Sequence, residues 1–145
     1  MSRTARVMAG LILILVPTIQ YGGLFLLKSL MGPSSAYMDR PLVENFDRAG
    51  HAHAGVIILL SLIVQILADH AVLPAVLRWF VRIGVVLSAM LLSAGFFLSV
   101  IGPDKTHANG FVALIYAGAA LLAACVLLLA IGLLIPERKK PVAKM

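Results

Sequence analysis

The sequence predicts an all-α integral membrane protein that folds as a four-helix bundle. Hydrophobic residues make up 61% of the chain and charged residues only 12%, a balance far from that of soluble globular domains. The apolar residues fall into four runs of about 20 residues or more, the length that an α-helix needs to cross a bilayer. We therefore expect a single transmembrane domain over residues 1–145, with the lipid bilayer as its environment.

Glycine and proline mark the ends of these runs, because neither residue continues a helix well. The first run follows a basic N-terminus, as in a signal peptide, but its length and the lack of a clear cleavage site indicate a retained span. Pro17 predicts a kink in the middle of this span. The four predicted spans cover residues 7–31, 51–69, 77–101 and 107–135.

The segments outside the spans are short. The one sizeable loop covers residues 34–50, and Pro41 predicts a short interfacial helix over 41–47, since proline is favourable in a first helical turn. Residues 104–106 form a predicted tight turn. Residues 136–145 form a basic tail that we expect to be disordered.

The basic residues predict the orientation of the chain. With both termini in the cytoplasm, the positive-inside rule is satisfied by an excess of Lys and Arg on that side. The residues placed there are Arg3, Arg6, Arg78, Arg82, Arg138, Lys139, Lys140 and Lys144. The net charge of +6 therefore reflects topology, and we expect no nucleic-acid partner. The prediction is a multi-pass protein of the cytoplasmic (inner) membrane.

Histidines are the main functional candidates, because polar side chains at membrane helices are costly. His51 and His53 begin the second predicted span, and His107 begins the fourth, so all three lie at the extracytoplasmic end. At 100° per residue His51 and His53 point about 200° apart, and one straight helix cannot direct both to one metal ion. His51 heads a stripe that includes Gly55 and Gln65, and we expect it to face the bundle interior.

His53 heads an apolar stripe of Ile57, Leu60 and Val64, and we expect His53 to face lipid headgroups or another subunit. His70, beside Asp69 at the predicted cytoplasmic turn, is interpreted as an ordinary surface residue.

A weak internal repeat relates the two halves of the chain. The first and third spans both end in a glycine, an apolar run and Gly-Pro, and a His-Ala pair opens each following span. Two duplicated helical hairpins would place His51 and His107 at equivalent positions on neighbouring helices. The third span carries a stripe of small residues, which leaves room either for a flat ligand or for close contact with a neighbouring helix. Close helix contact is the commoner use of such a stripe. Its members are Gly84, Ser88, Gly95 and Ser99.

Histidines from two helices of a bundle are a common way to hold haem iron. The sequence therefore predicts a small haem-binding protein of the electron-transfer or diatomic-gas-handling class, with haem b as the cofactor. His51 would pair with His107 within one chain, or His53 would pair with a histidine of a neighbouring chain. Arg48 would hold a propionate through a charge-assisted hydrogen bond.

Two alternatives stay open. The first is a copper or zinc site at the extracytoplasmic face that adds Met38, Glu44 or Asp47 to the histidines, although the sulfur-rich motifs of copper transfer are absent. The second is a cofactor-free structural or accessory membrane subunit, in which the histidines are interfacial residues. The sequence does not decide whether the chain is an enzyme.

The segment AGHAHAGVIIL over residues 49–59 resembles a motif of the haem-copper oxidase superfamily, which includes the nitric oxide reductases. The catalytic subunit of that family has a helix that opens with His-x-His followed by small and apolar residues. The first span, with Gly22-Gly23 and a closing Gly32-Pro33, is similar to the helix that precedes it. The resemblance covers about 45 residues between Ala9 and Leu60.

The resemblance implies that His51 and His53 serve two different haems on opposite faces of the helix. It also implies an architecture of three four-helix arcs, which a homo-oligomer such as a trimer, or a larger membrane complex, would rebuild from this chain. The chain departs from the family in lacking a second histidine pair, a His-Tyr spacing and paired arginines for propionates, since only Arg40 and Arg48 lie near the motif.

Overall fold

The computed structural model describes residues 1–31, 37, 39–102 and 106–136. Helices account for most of them: α1 Arg3–Met31, α2 Pro41–His70, α3 Ala75–Ser99 and α4 Val112–Leu134. All four are long and apolar enough to cross a membrane. The predicted fold class, an all-α chain with four membrane-length helices, is confirmed, whereas the orientation and the duplication remain predictions.

The helices pack largely in chain order, with α2 and α3 in the centre. α2 packs against α1 on one side and α3 on the other, and α3 packs against α4. The buried core is drawn mainly from α2 and α3, for example Ile58, Val64, Val81 and Val85. α1 is the least embedded helix, because only Ala5, Ile12 and Leu26 are buried. Its attachment to α2 therefore depends on a few contacts along its length.

Small residues bring α3 and α4 into close contact. A Cβ atom on Gly95 would lie 2.7 Å from Cγ1 of Ile115, and one on Gly118 would lie 2.9 Å from the backbone nitrogen of Leu92. The whole third-span stripe of small residues is buried. The prediction of close helix contact is confirmed, and no space for a flat ligand is left beside Gly95.

The start of α2 differs from the prediction. The helix begins at Pro41, so the expected interfacial helix continues without a break into the span, and residues 41–50 are helical instead of part of a loop. Pro41 is favourable in the first turn, and Glu44 complements the positive end of the helix dipole. Gly50 does not end the helix, because tertiary contact with α3 holds it in place.

The start of α4 also differs, and the prediction that the helix begins at His107 is wrong. Residues 106–111 form a non-helical segment of bends and a turn, and α4 begins at Val112. The side chain of Asn109 stabilises this segment by donating to the carbonyls of Leu98 and Ile101 at 2.9 and 3.0 Å. His107 therefore precedes its helix whereas His51 lies inside α2, so the two histidines of the predicted repeat have different local structures.

The remaining boundaries agree within a few residues. α1 begins at Arg3 and continues through Pro17, and α3 runs from Ala75 to Ser99. Most of the predicted turn at 104–106 and of the tail at 136–145 lies outside the described residues.

Candidate functional site

His51 lies in a recess between α1 and α2. A Cβ atom on Gly23 would be 3.1 Å from its Nε2 atom, and one on Gly22 would be 3.5 Å from its Nδ1 atom. The glycine pair of α1 therefore makes the space that the imidazole occupies. Among the described residues, no hydrogen bond involves either ring nitrogen. The recess has a volume of about 230 Å³ and is mostly apolar, with Val16, Ile19, Gln20, Gly55, Ile58 and Leu59 as its other lining residues.

The ring of His53 is oriented by the backbone of its own helix. Its Nδ1 atom lies 2.7 Å from the carbonyl oxygen of Ala49. A carbonyl oxygen can only accept, so Nδ1 carries the proton and, in the neutral ring, Nε2 carries the free electron pair. His53 is exposed, and its Nε2 has no hydrogen-bond partner in the part of the chain that the structure describes. This nitrogen can therefore bind a ligand.

Aromatic residues fix the His53 ring from the side of α3. The ring centroids of His53 and Phe96 are 5.0 Å apart, with planes tilted by 31°. Phe96 in turn meets the edge of Phe46, with centroids 5.5 Å apart. These contacts are possible because Gly50 is buried against α3, where a Cβ atom would lie 3.1 Å from the Cβ of Phe96.

The two histidines of the motif thus contact different helices, as their spacing predicts. His51 packs against α1, and His53 packs against Phe96 of α3. His53 itself is exposed, but the apolar stripe below it lies inside the protein, because Ile57 and Val64 are 4% and 1% exposed and belong to the core. Lipid and a membrane-protein core are equally apolar, so an apolar stripe in the sequence does not distinguish them.

The other predicted site residues lie apart from this pair. His107 is exposed in the non-helical segment before α4, with its Nδ1 2.9 Å from the hydroxyl oxygen of Thr106. Arg48 donates from Nη1 to Glu44 at 2.9 Å, and its side chain is 62% exposed. An exposed ion pair of this kind is weak, so Arg48 can exchange Glu44 for another anion at little cost.

The acidic residues of the copper or zinc alternative already have partners. Glu44 pairs with Arg48, and Asp47 accepts a hydrogen bond from the hydroxyl of Tyr37 at 3.3 Å. Burial and the neighbouring Asp47 carboxylate raise the pKa of Tyr37 to about 12. Within the described ranges, no three His, Cys, Asp or Glu side chains come together as a metal-binding group. Met38 lies outside the described residues.

A polar cluster at the opposite end of the bundle was not found by sequence reasoning. Asp69 of α2 accepts hydrogen bonds from the backbone N–H and hydroxyl of Ser2 at 2.6 and 2.7 Å, and from Nη2 of Arg82 at 2.5 Å. Arg82 of α3 is only 2% exposed, and Gln65 is fully buried. The sequence feature that could have predicted this cluster is an acidic residue, Asp69, near the end of one span and a basic residue, Arg82, near the start of the next.

No family model, curated protein or solved structure matches this chain. The functional assignment therefore depends on the geometry of the chain itself.

Proposed function

We propose that the protein is a small membrane haem protein of the electron-transfer or diatomic-gas-handling class, with His53 as the principal iron ligand. The hydrogen bond from Nδ1 of His53 to the carbonyl of Ala49 is the observation that supports this role. Histidines that bind metals almost always donate their second ring N–H to a carbonyl or carboxylate, which fixes the tautomer and orients the ring. His53 is oriented in this way and presents Nε2 at an exposed surface.

The surroundings of His53 suit a flat, largely apolar cofactor. The imidazole is fixed by Phe96, so the ring loses little rotational freedom when Nε2 binds iron. Because His53 is exposed, one chain supplies only one side of such a site, and a second copy of the chain would supply the other. This arrangement favours the pairing between subunits over the pairing of His51 with His107.

The recess at His51 supports a secondary role for that residue. Its volume of about 230 Å³ is below the roughly 300 Å³ at which small-molecule sites begin. His51 and Arg48, three residues apart on one face of α2, are therefore suited to a ligand that lies partly outside the recess.

A bound haem would supply electron transfer or the binding of a diatomic gas. The chain's own residues would orient the iron ligand through Ala49, exclude water from one side of the ring with Phe96, and neutralise a carboxylate with Arg48.

The test is the visible spectrum of the protein purified in detergent from cells supplied with haem precursor. We expect a Soret band with sharp reduced α and β bands, and their loss in His53→Ala. His70→Ala, which changes an exposed histidine at the other end of α2, is the matched control and should keep the bands. A colourless wild-type protein without iron, or a His53→Ala variant with an unchanged spectrum, would contradict the proposal.

Single substitutions of His51 and His107 distinguish a site between subunits from a site formed by this pair within one chain. Retention of the bands in His51→Ala and His107→Ala indicates a site between subunits. Loss of the bands in both variants, with retention in His53→Ala, indicates the pair within one chain instead.

A further inference from the structure

A second cleft lies at the opposite end of the bundle from the histidines, at the end that the basic residues assign to the cytoplasm. It has a volume of about 180 Å³ and is bounded by the start of α1, the end of α2 and the start of α3. Its lining residues are Ser2, Thr4, Asp69, Ala75, Arg78, Trp79 and Arg82. Two guanidinium groups and one carboxylate therefore meet in this cleft, which leaves an excess of positive charge.

Two arginine nitrogens at the cleft have no acceptor among the residues that the structure describes. Arg82 is 98% buried, and while its Nη2 donates to Asp69, its Nη1 is buried without a hydrogen-bond partner among the described residues. Arg78 donates from Nη2 to the carbonyls of Ala71 and Leu73, and its Nε is likewise buried without a partner. An unpaired buried donor on a charged group is costly, so an acceptor supplied by a ligand would stabilise these two arginines.

The start of α3 adds further donors. The helix begins at Ala75, which lines the cleft, and no side chain caps its first turn. The first backbone hydrogen bond of the helix runs from the N–H of Arg78 to the carbonyl of Pro74. Uncapped N–H groups and the positive end of the helix dipole together favour an anion.

We propose that this cleft binds the phosphate group of an anionic ligand. A phosphate presents several acceptor oxygens and suits the planar donor array of arginine, so one group can satisfy Nη1 of Arg82 and Nε of Arg78 together. Asp69 does not exclude it, because the carboxylate is already occupied by Ser2 and Arg82.

The adjoining surface identifies a phospholipid as the source of this phosphate. Trp79 also borders a neighbouring cleft lined by Arg3, Thr4, Val7 and Met8, so an apolar path leads away from the arginines. Basic pockets between membrane helices on the cytoplasmic side are a known way to bind anionic headgroups. The headgroup would lie at Arg78 and Arg82, and an acyl chain would follow Val7 and Met8.

Trp79 makes the proposal measurable, because it is the one tryptophan of the chain and lines both clefts. The full chain is reconstituted in vesicles of phosphatidylcholine that contain a small fraction of brominated phosphatidylglycerol or of brominated phosphatidylcholine. Bromine quenches tryptophan fluorescence at short range. We expect the anionic lipid to quench Trp79 at a several-fold lower fraction than the zwitterionic lipid.

Two variants remove the spare donors separately. Arg78→Gln removes one charge, and Arg82→Lys keeps a cation beside Asp69 while removing Nη1. Arg78→Gln should reduce the preference for the anionic lipid by about fivefold, the effect expected of one basic contact with an anionic headgroup, and Arg82→Lys should reduce it by a smaller factor. Arg6→Gln, an exposed change of equal charge that lines neither cleft, should leave the preference unchanged.

A third experiment distinguishes a phospholipid headgroup from free phosphate as the ligand. In detergent, inorganic phosphate is titrated against the Trp79 emission, with sulfate and chloride at matched ionic strength. One possible result is that phosphate alone changes the Trp79 emission, that Arg78→Gln removes this change, and that the vesicles show no preference for the anionic lipid. That result would support the site and assign it to a free phosphate. Equal quenching by both lipids together with no phosphate response in detergent would overturn the proposal, as would an equal loss in Arg6→Gln.

Discussion

At one end of α2, His53 offers a ring nitrogen with a free electron pair, whereas at the other end Arg78 and Arg82 have N–H groups without acceptors among the described residues. The first end is suited to a ligand that accepts electron pairs, such as iron, and the second to a ligand that accepts hydrogen bonds, such as phosphate. The two ends of the bundle thus differ in chemistry: one offers an electron pair and the other offers hydrogen-bond donors. Their hydropathy does not show this difference.

The two ends also hold α1 in different ways. At the histidine end, α1 contributes a glycine recess in which the ring of His51 lies, without hydrogen bonds to that ring among the described residues. At the other end, Asp69 binds the first residues of the chain through two hydrogen bonds from Ser2. Hydrogen bonds therefore hold α1 at the arginine end, whereas apolar packing holds it at the histidine end.

The largest expected effect is at the arginine end. Arg82→Ala breaks a pair in which the Arg82 side chain is 3% exposed, and leaves the Asp69 carboxylate without its main cation. We expect a loss of about 2–3 kcal/mol in the free energy of unfolding, because the substitution removes a charge-assisted hydrogen bond to a partly exposed carboxylate that keeps its bonds from Ser2. The measurement is denaturant unfolding in detergent, followed by the emission of Trp79. Arg6→Ala is the control, and an equal effect there would show that the burial of Arg82 is unimportant.

A smaller effect is expected within the histidine motif, where two glycines give opposite results. Gly50→Ala places a methyl group 3.1 Å from the Cβ of Phe96, which is fixed to the backbone of α3, and should destabilise the protein by about 1–2 kcal/mol through overpacking. Gly55→Ala meets no atom within 4 Å and should stabilise by up to about 1 kcal/mol through helix propensity. Both are measured by the same unfolding assay. Similar values for the two variants would contradict the close contact at Gly50.

The smallest effect is expected at the recess of His51. Gly23→Ala places a methyl group 3.1 Å from Nε2 of His51, at the tip of a side chain that can rotate away. The free energy of unfolding should change by less than about 0.5 kcal/mol. The imidazole NMR signals of His51 should shift, while those of His53 stay unchanged. A loss comparable to that of Gly50→Ala would show that the recess holds α1 firmly.

Much of the fold could be predicted because length and hydropathy are local properties. Four apolar runs long enough to span a bilayer indicate four helices in any packing, and the ends of α1 and α3 were predicted to within a few residues. The divergence of His51 and His53 was equally predictable, because helical geometry separates residues two positions apart regardless of their neighbours.

The errors in the helix boundaries arise where tertiary contact overrides a local signal. Gly50 marks a helix start in the sequence, but contact with Phe96 and Phe97 keeps it inside α2. His107 is predicted to begin a helix, but the hydrogen bonds of Asn109 to the end of α3 hold a non-helical segment there instead.

The sequence by itself determined the number of helices, their membrane-spanning length and the opposite directions of His51 and His53, because these follow from composition and helical periodicity. Only the tertiary structure decided which apolar stripes are core, that Asp69 pairs with Arg82, and that Nδ1 of His53 is bonded so that Nε2 is available. The physical reason is that lipid and protein core are equally apolar, so the partner of each polar atom depends on which helices lie beside it.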